Sequence, residues 1–391
     1  LITHCVFQEE SPGHSQEAFP PPESPERIEV HRRIDSEGGI EKMRKSTAIV
    51  AIVVVSLFAI YGCKSVETTS AVLHNEHGQY DKAIEMSKKA LEKNPKDAEA
   101  HFQLGVSYSY TGDMANAYTE FKTAAKLNPS KAADCETDIK SNWAKHFNNG
   151  LSEVQAENLA GGAHEFELTT QADPRQVKGW LNLAKVYYSL AQNDTTYLPK
   201  AYETVDTLLA KTTDKDESYA NVLTLSGAIM VKRGMSDDAQ KIFEKLLLVD
   251  PATFEDVERA ANTYLAKRDW ATGATFLQMA MDARKKANAE DFESYYNLGA
   301  VYFNGKNCPK AIEMYLAALE LDQENKQGNY GILLAYYSCE MYDDAVLQGQ
   351  KYTEKNADDP NGWRILSLAY SKKGMKLKAE EAAKKFQELS Q

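Results

Sequence analysis

This chain lacks the short motifs by which a sequence announces bond-making chemistry. It has no Gly-x-Ser-x-Gly elbow to present a serine nucleophile, no glycine-rich phosphate loop closed by a lysine, and no His-Glu-x-x-His helix for zinc. Its five cysteines, Cys5, Cys63, Cys135, Cys308 and Cys339, are dispersed along 391 residues. His74 and His77 are three apart and share a helical face, but zinc takes three or four ligands, and no Cys or carboxylate completes that pair at a recognised spacing. They read as a solvated helix end. Basic charge is scarce: 45 Lys and Arg stand against 57 Asp and Glu, a formal net charge of −12, which is not a nucleic-acid footprint. Carboxylates are plentiful but scattered over helix faces. The uncharged stretch Thr47–Ile60 is shorter than the roughly 20 apolar residues that span a bilayer as a helix. An enzyme active site, a cofactor, a metal, a small-molecule substrate and nucleic acid therefore have no residues to rest on.

What the chain does have is repetition. His101-x2-Leu104-Gly105-x2-Tyr108 is followed by Ala117-x3-Phe121 and Pro129. Tyr295-x2-Leu298-Gly299-x2-Tyr302 with Ala311-x3-Tyr315 repeats it, and Trp180-x2-Leu183-Ala184-x2-Tyr187 and Trp363-x2-Leu366-Ser367-x2-Tyr370 repeat its first half. The period is about 34 residues, with apolar positions at the three and four spacings of a helix face. It phases the chain into units at 64–97, 98–131, 143–176, 177–215, 220–253, 254–287, 292–325, 326–359 and 360–391. Gly105, Gly150, Ala184, Gly227, Ala261 and Gly299 fall where the first helix of a unit crosses the second; Ala83, Ala117, Ala201, Ala239, Ala311, Ala345 and Ala379 fall on the second. A larger side chain there would force the helices apart. Gly78, Gly112, Gly234 and Gly374 sit in turns that call for a left-handed backbone. Pro95, Pro129, Pro174 and Pro251 stop second helices. The first copy has a weak first helix, with Ser70 and Ala71 in place of Leu-Gly. The 177–215 copy carries about five extra residues around Gln192–Leu198. Stretches 132–142, 211–219 and 288–291 read as loops inserted between units.

These residues resemble the tetratricopeptide-repeat family. The resemblance implies an all-α solenoid of antiparallel helix pairs wound into a right-handed superhelix, with a first partial repeat at 63–97 and about eight units over 98–391. It also implies that first helices line a concave groove that holds a peptide or helix of another protein, a scaffold function rather than an enzymatic one. Carried onto this register, the groove positions hold Phe102, Val106 and Tyr110, then Phe147, Leu151 and Val154, then Leu181, Lys185 and Tyr188. Thr224, Ala228 and Val231 follow, with Glu258, Asn262 and Leu265. Tyr296, Phe303 and Asn304 come next, and then Tyr330, Leu334 and Tyr337. The stripe has aromatics at both ends and an acidic or small-residue middle. Tyr108, Tyr187, Tyr264, Tyr302, Tyr336 and Tyr370 belong to the core; Phe102, Tyr110, Tyr188, Phe303, Tyr330 and Tyr337 fit groove or core equally well. Lys185 and Asn262 do not match the Lys/Asn carboxylate clamp of the chaperone-binding subclass, which argues against a cytosolic co-chaperone.

A second signal lies upstream. Met43-Arg44-Lys45, the apolar run, and Ile60-Tyr61-Gly62-Cys63 have the order of a secretory signal peptide over 43–62. Its end resembles a bacterial lipobox with Cys63 as the lipidated residue; Tyr61 departs from the usual small or aliphatic residue. The alternative is an uncleaved anchor that happens to end at a cysteine. Lys64, which is not Asp, implies by resemblance sorting to the outer membrane, facing the periplasm. Residues 1–42, with Pro20-Pro21-Pro22 and no apolar periodicity, read as an extension upstream of a start at Met43, or as a disordered tail. The first 62 residues hold 6 of the 45 Lys and Arg and 9 of the 57 Asp and Glu, so the remainder carries 39 against 48, a balance of −9. The acidity belongs to the repeats. Cys308 and Cys339 lie near turns of adjacent units. Two thiols are the commoner outcome for such residues; a disulfide requires Cα atoms within about 7 Å and an oxidising compartment. The partners expected are other proteins, in an envelope scaffold or, alternatively, an accessory subunit that docks an envelope enzyme or a secretion or outer-membrane assembly machine.

The Cys63 reading has a direct test. Cys63→Ser should abolish processing and release the protein from membranes, because several acyl chains on one residue anchor firmly where one chain binds marginally. Membrane fractionation and a mass shift on gels check it; a variant that stays membrane-bound at unchanged size is a plain apolar anchor.

Overall fold

The computed structural model describes residues 65–391. The extension 1–42, the signal-peptide segment 43–62 and Cys63 lie outside the described residues. Within 65–391 every regular element is a helix, and eighteen α-helices pair in chain order. The first hairpin is α1 (Val66–Glu76) with α2 (Tyr80–Lys93), and the second α3 (Ala98–Thr111) with α4 (Met114–Leu127). Next come α5 (Ala132–Gln155) with α6 (Leu159–Ala172), and α7 (Val177–Leu190) with α8 (Leu198–Lys211). Then follow α9 (Tyr219–Arg233) with α10 (Ser236–Val249), and α11 (Phe254–Leu265) with α12 (Trp270–Lys286). The last three pairs are α13 (Phe292–Asn304) with α14 (Cys308–Leu321), α15 (Lys326–Ser338) with α16 (Tyr342–Lys355), and α17 (Pro360–Lys372) with α18 (Lys376–Leu389). The all-α expectation holds, as does the paired stacking.

Each repeated residue type has a mechanical role. The small residue of a first helix lies against a ring sixteen residues later. A Cβ added to Gly105, Gly150, Gly227 or Gly299 would come within 2.5–2.9 Å of the ring of Phe121, Phe166, Phe243 or Tyr315. The alanines of the second helices are sealed: Ala83, Ala201, Ala239, Ala311 and Ala345 have no exposed surface. The leading Trp or His of the signature ties its helix to the preceding turn. Trp180 Nε1 donates to the carbonyl of Pro174 at 3.0 Å, and Trp363 Nε1 to that of Ala357 at 2.9 Å. His101 Nε2 lies 3.1 Å from the carbonyl of Pro95, again six residues back. Between hairpins, Asn94, Asn128, Asp173 and Asp250 each accept the N–H two residues on, at 3.0–3.1 Å. This side-chain turn turns the chain out of a second helix.

Within the hairpins the turn residue is left-handed: Gly78, Gly112, Gly234 and Gly374 have φ of 68–87°. The same turn in four other hairpins has Glu157, Arg268, Lys306 and Glu340, with φ of 59–61°. There the repeat imposes the conformation on residues that do not favour it.

Two expectations are corrected. Residues 132–142 are not a loop; they are the first three turns of α5, which runs 24 residues. Cys135 and Ile139 are each 1 % exposed and pack with Ala117, Phe121 and Ala124 of α4. Burial pushes the Cys135 thiol up, so it is a core residue and a poor nucleophile. The Cys308 and Cys339 thiols are joined, with their Cα atoms 5.9 Å apart, so the turns of the seventh and eighth hairpins share a disulfide. The weak first copy nonetheless forms α1, held by Asn75, which donates to Gln103 Oε1 at 2.9 Å and accepts from Ser107 at 2.7 Å. His74 and His77 end α1 on separate acceptors, Gln79 Oε1 and the Leu73 carbonyl.

Two substitutions of opposite sign check this account. Gly299→Ala should destabilise by about 1–3 kcal/mol, because the Tyr315 ring it meets is itself buried. Lys306→Gly should stabilise by about 0.5–1 kcal/mol by relieving the left-handed lysine. Urea melts of both variants read the signs. Removing the disulfide, by Cys308→Ser with Cys339→Ser, opens a link across 31 residues and should cost about 3–4 kcal/mol. Hydrogen exchange should quicken in α14–α16, since repeats couple chiefly to neighbours.

Candidate functional site: the first-helix face

Hairpins stack so that first helices lie beside first helices. α1 touches α3, which touches α5; α7 touches α9, which touches α11; α13 touches α15, which touches α17. Second helices form the other layer, with α4 against α6 and α10 against α12. α5 and α7, and likewise α11 and α13, stand further apart, and an arginine lies at each break. Arg175 bonds Glu136 of α5 at 2.6 Å and Asp173 at 2.7 Å. Arg284 bonds Glu258 of α11 at 2.7 Å and Asp291, the N-cap of α13, at 2.9 Å. Burial pushes the Asp173 carboxyl up, but hydrogen bonds from Arg175 and Gln176 together outweigh it and hold it below the usual carboxylate range.

The predicted groove residues divide into two kinds. Tyr110, Asn262 and Asn304 are exposed. Tyr110 is 65 % exposed yet stacks flat on Tyr80 of the preceding hairpin, with ring centres 4.4 Å apart. Asn304 returns its amide to the carbonyl of Ala300, whereas Asn262 has no side-chain hydrogen bond to another described residue. The other aromatics are half-buried and lie in seams between helices. Phe102 is tilted against Phe121 beneath the Lys131 ammonium. Phe147 stacks on Trp143 at 4.6 Å and meets Phe166 edge-on. Tyr296 lies between Phe292 and Tyr315 and against Gly331 of the next hairpin. Tyr330 packs on Tyr352, Tyr337 on Tyr342, and Phe303 on the cluster around Tyr302 and Met314. Each presents one edge outward and the rest to the core. Tyr188 does the same against the cluster of α6–α9, and burial raises its hydroxyl above the usual range. Leu181 and Val231 are buried floor, not lining.

Lys185 changes the character of the middle of the stripe. It lies on the outward row of α7, Lys178, Asn182, Lys185 and Ser189, at helical spacing. It is half-buried, and burial alone holds its ammonium below the usual lysine range. Two contributors to this face went unnoticed in the sequence, Tyr80 and Trp143. Trp143 lies one turn before Phe147 on α5, whereas Tyr80 meets Tyr110 across two hairpins, a contact that spacing within one helix does not signal. The described residues hold no group of three or more His, Cys, Asp or Glu placed to share a metal ion. No described helix is long and apolar enough to cross a membrane.

Comparison with known proteins fits this geometry. The TPR repeat model matches residues 73–112, and the tetratricopeptide repeat model matches 98–131 and 292–325. The TPR repeat-containing protein MJ1428 of Methanocaldococcus jannaschii is 21% identical over 311 residues, covering 76% of this chain and 53% of its own length. This chain thus spans about half the length of that curated relative. Among solved structures, the C-terminal part of a TPR repeat-containing protein from Cytophaga hutchinsonii is 15% identical. It covers 68% of this chain and 99% of its own, with a TM-score of 0.36. A tetratricopeptide repeat protein from Parabacteroides merdae is 12% identical, covering 64% of this chain and 94% of its own, also with a TM-score of 0.36. The matched repeats and the paired helices show that this chain carries tetratricopeptide repeats, over residues 73–131 and 292–325.

Proposed function

We propose that this scaffold is lipid-anchored in a bacterial cell envelope, at the outer membrane facing the periplasm, and holds an extended or helical segment of another protein along its first-helix face. The observation that carries the groove reading is the side-by-side layer of first helices, with aromatic edges at its seams and uncommitted polar groups such as Asn262 along it. A peptide's apolar side chains suit the ring edges, and its main-chain groups suit exposed amides. Half-buried rings are already ordered by the core, so little side-chain entropy is lost when they meet a ligand. The anchoring reading rests on Gly62-Cys63 after the charged start and apolar run. The Cys308–Cys339 bond supports an oxidising compartment, since such links are rare where thiols are kept reduced.

The two kinds of groove residue give the test. Tyr110→Ala, Asn262→Ala and Asn304→Ala combined should leave stability nearly unchanged, because truncations at exposed sites shift it by roughly 0.5 kcal/mol or less each. The same triple variant should lose most of the envelope proteins that the parent retains on an affinity column. Phe303→Ala with Tyr337→Ala should instead cost about 1–3 kcal/mol, each ring being partly core. Full retention of partners by a stably folded triple variant would move the interface to the second-helix layer.

A further inference from the structure

The middle of the first-helix face holds cations that the protein itself does not neutralise. Lys185 forms no ion pair with a described residue, and the Lys232 Nζ of α9 donates only to a neutral acceptor, Gln192 Oε1, at 2.8 Å. Three carboxylates of the neighbouring elements have other partners. Glu153 of α5 accepts from Asn158 at 2.7 Å, and Asp194 caps the backbone of Thr196 at 2.9 Å. Asp256 of α11 accepts from Thr224 at 3.2 Å and pairs with Arg259. Beside α7, the open row of α9 is Asn221, Thr224, Ala228 and Lys232, so the strip next to Lys185 is lined by small side chains. A half-buried ammonium with no partner is costly to keep, and a bound anion would offset that cost.

We infer that Lys185 is the anchor of a carboxylate subsite within the groove, filled by an Asp or Glu side chain of the bound segment. The inference rests on the groove reading above and narrows it to acidic peptides. A side chain is the source rather than a chain terminus because first helices continue on both sides of α7, with three hairpins before its own and five after. A segment lying along the face therefore passes Lys185 at an interior residue. The arrangement is one lysine in one hairpin with Tyr188 a turn later, and Lys232 sets the far side of the strip.

The test uses the full chain and random dodecapeptides displayed as N-terminal fusions on phage, which offer no free carboxyl terminus. Selected peptides should carry Asp or Glu at one fixed position beside apolar residues. Synthetic, C-terminally amidated copies should bind Lys185→Met at least tenfold more weakly than the parent chain. Lys185→Arg should retain the acidic preference. The melting temperature of Lys185→Met should equal or exceed that of the parent, because the change removes an unpaired half-buried charge. Selected peptides without an acidic position, or equal affinity for Lys185→Met, would overturn the subsite and leave the groove standing. Tenfold tighter binding of free-acid copies than of amides would overturn the side-chain source. Selection unaffected by the Tyr110, Asn262 and Asn304 triple variant would overturn the groove reading itself, and the subsite with it.

Discussion

The contact on which the structure depends is the glycine-against-ring crossing inside a hairpin. Where a first helix has no side chain, the ring of the second helix lies directly on its backbone, as Phe243 does on Gly227 and Tyr315 on Gly299. Flat rings on bare backbone bring two helices together without a void, and dispersion contacts are lost quickly as such a gap opens. The distance between paired helices then sets how far the next hairpin must step. Fully buried alanines such as Ala201, Ala239 and Ala345 keep that step small on the second helix. The remaining devices orient the crossing. Side-chain turns at Asn94, Asn128, Asp173 and Asp250 start the next unit, and the indole of Trp180 or Trp363 locks its helix to that turn.

The proposed groove follows from this constraint. If every ring were spent inside its own hairpin, the first-helix layer would show only polar surface. Instead several aromatics lie about one helical turn from the crossing and fill seams between units, as Tyr296 does between Tyr315 and Gly331. Such a residue is core on one edge and exposed on the other, so under the proposed groove reading the same ring would serve both stability and recognition. That explains why groove and core could not be told apart for Phe303 or Tyr337 by residue type. The property belongs to two faces of one ring.

The helix pairs were legible in the sequence because each rests on residues within about 34 positions of one another. Leu104, Gly105, Ala117 and Phe121 report a local crossing wherever they recur. What was missed depends on contacts between units. Residues 132–142 read as a loop because they fall outside the repeat, yet Cys135, Ile139 and Trp143 recur every four residues, and that spacing marks the helix that packs on Phe121. The disulfide was undecidable because a Cα separation of 5.9 Å between turns 31 residues apart is set by how two hairpins stack. Left-handed Glu157 and Lys306 carry no sequence signature at all. Their conformation is imposed by the repeat and becomes visible only beside Gly112 and Gly234.

Lys185 shows why the middle of the groove was the least legible part. Its position in the repeat was evident, but its chemistry depends on what does not approach it. Whether a lysine is neutralised is decided by α5, α9 and α11, which reach the same face from distant sequence. Glu153, Asp194 and Asp256 belong to these elements or to the turn after α7, and each has another partner. A sequence lists the charges available; only the packing shows which are already spent.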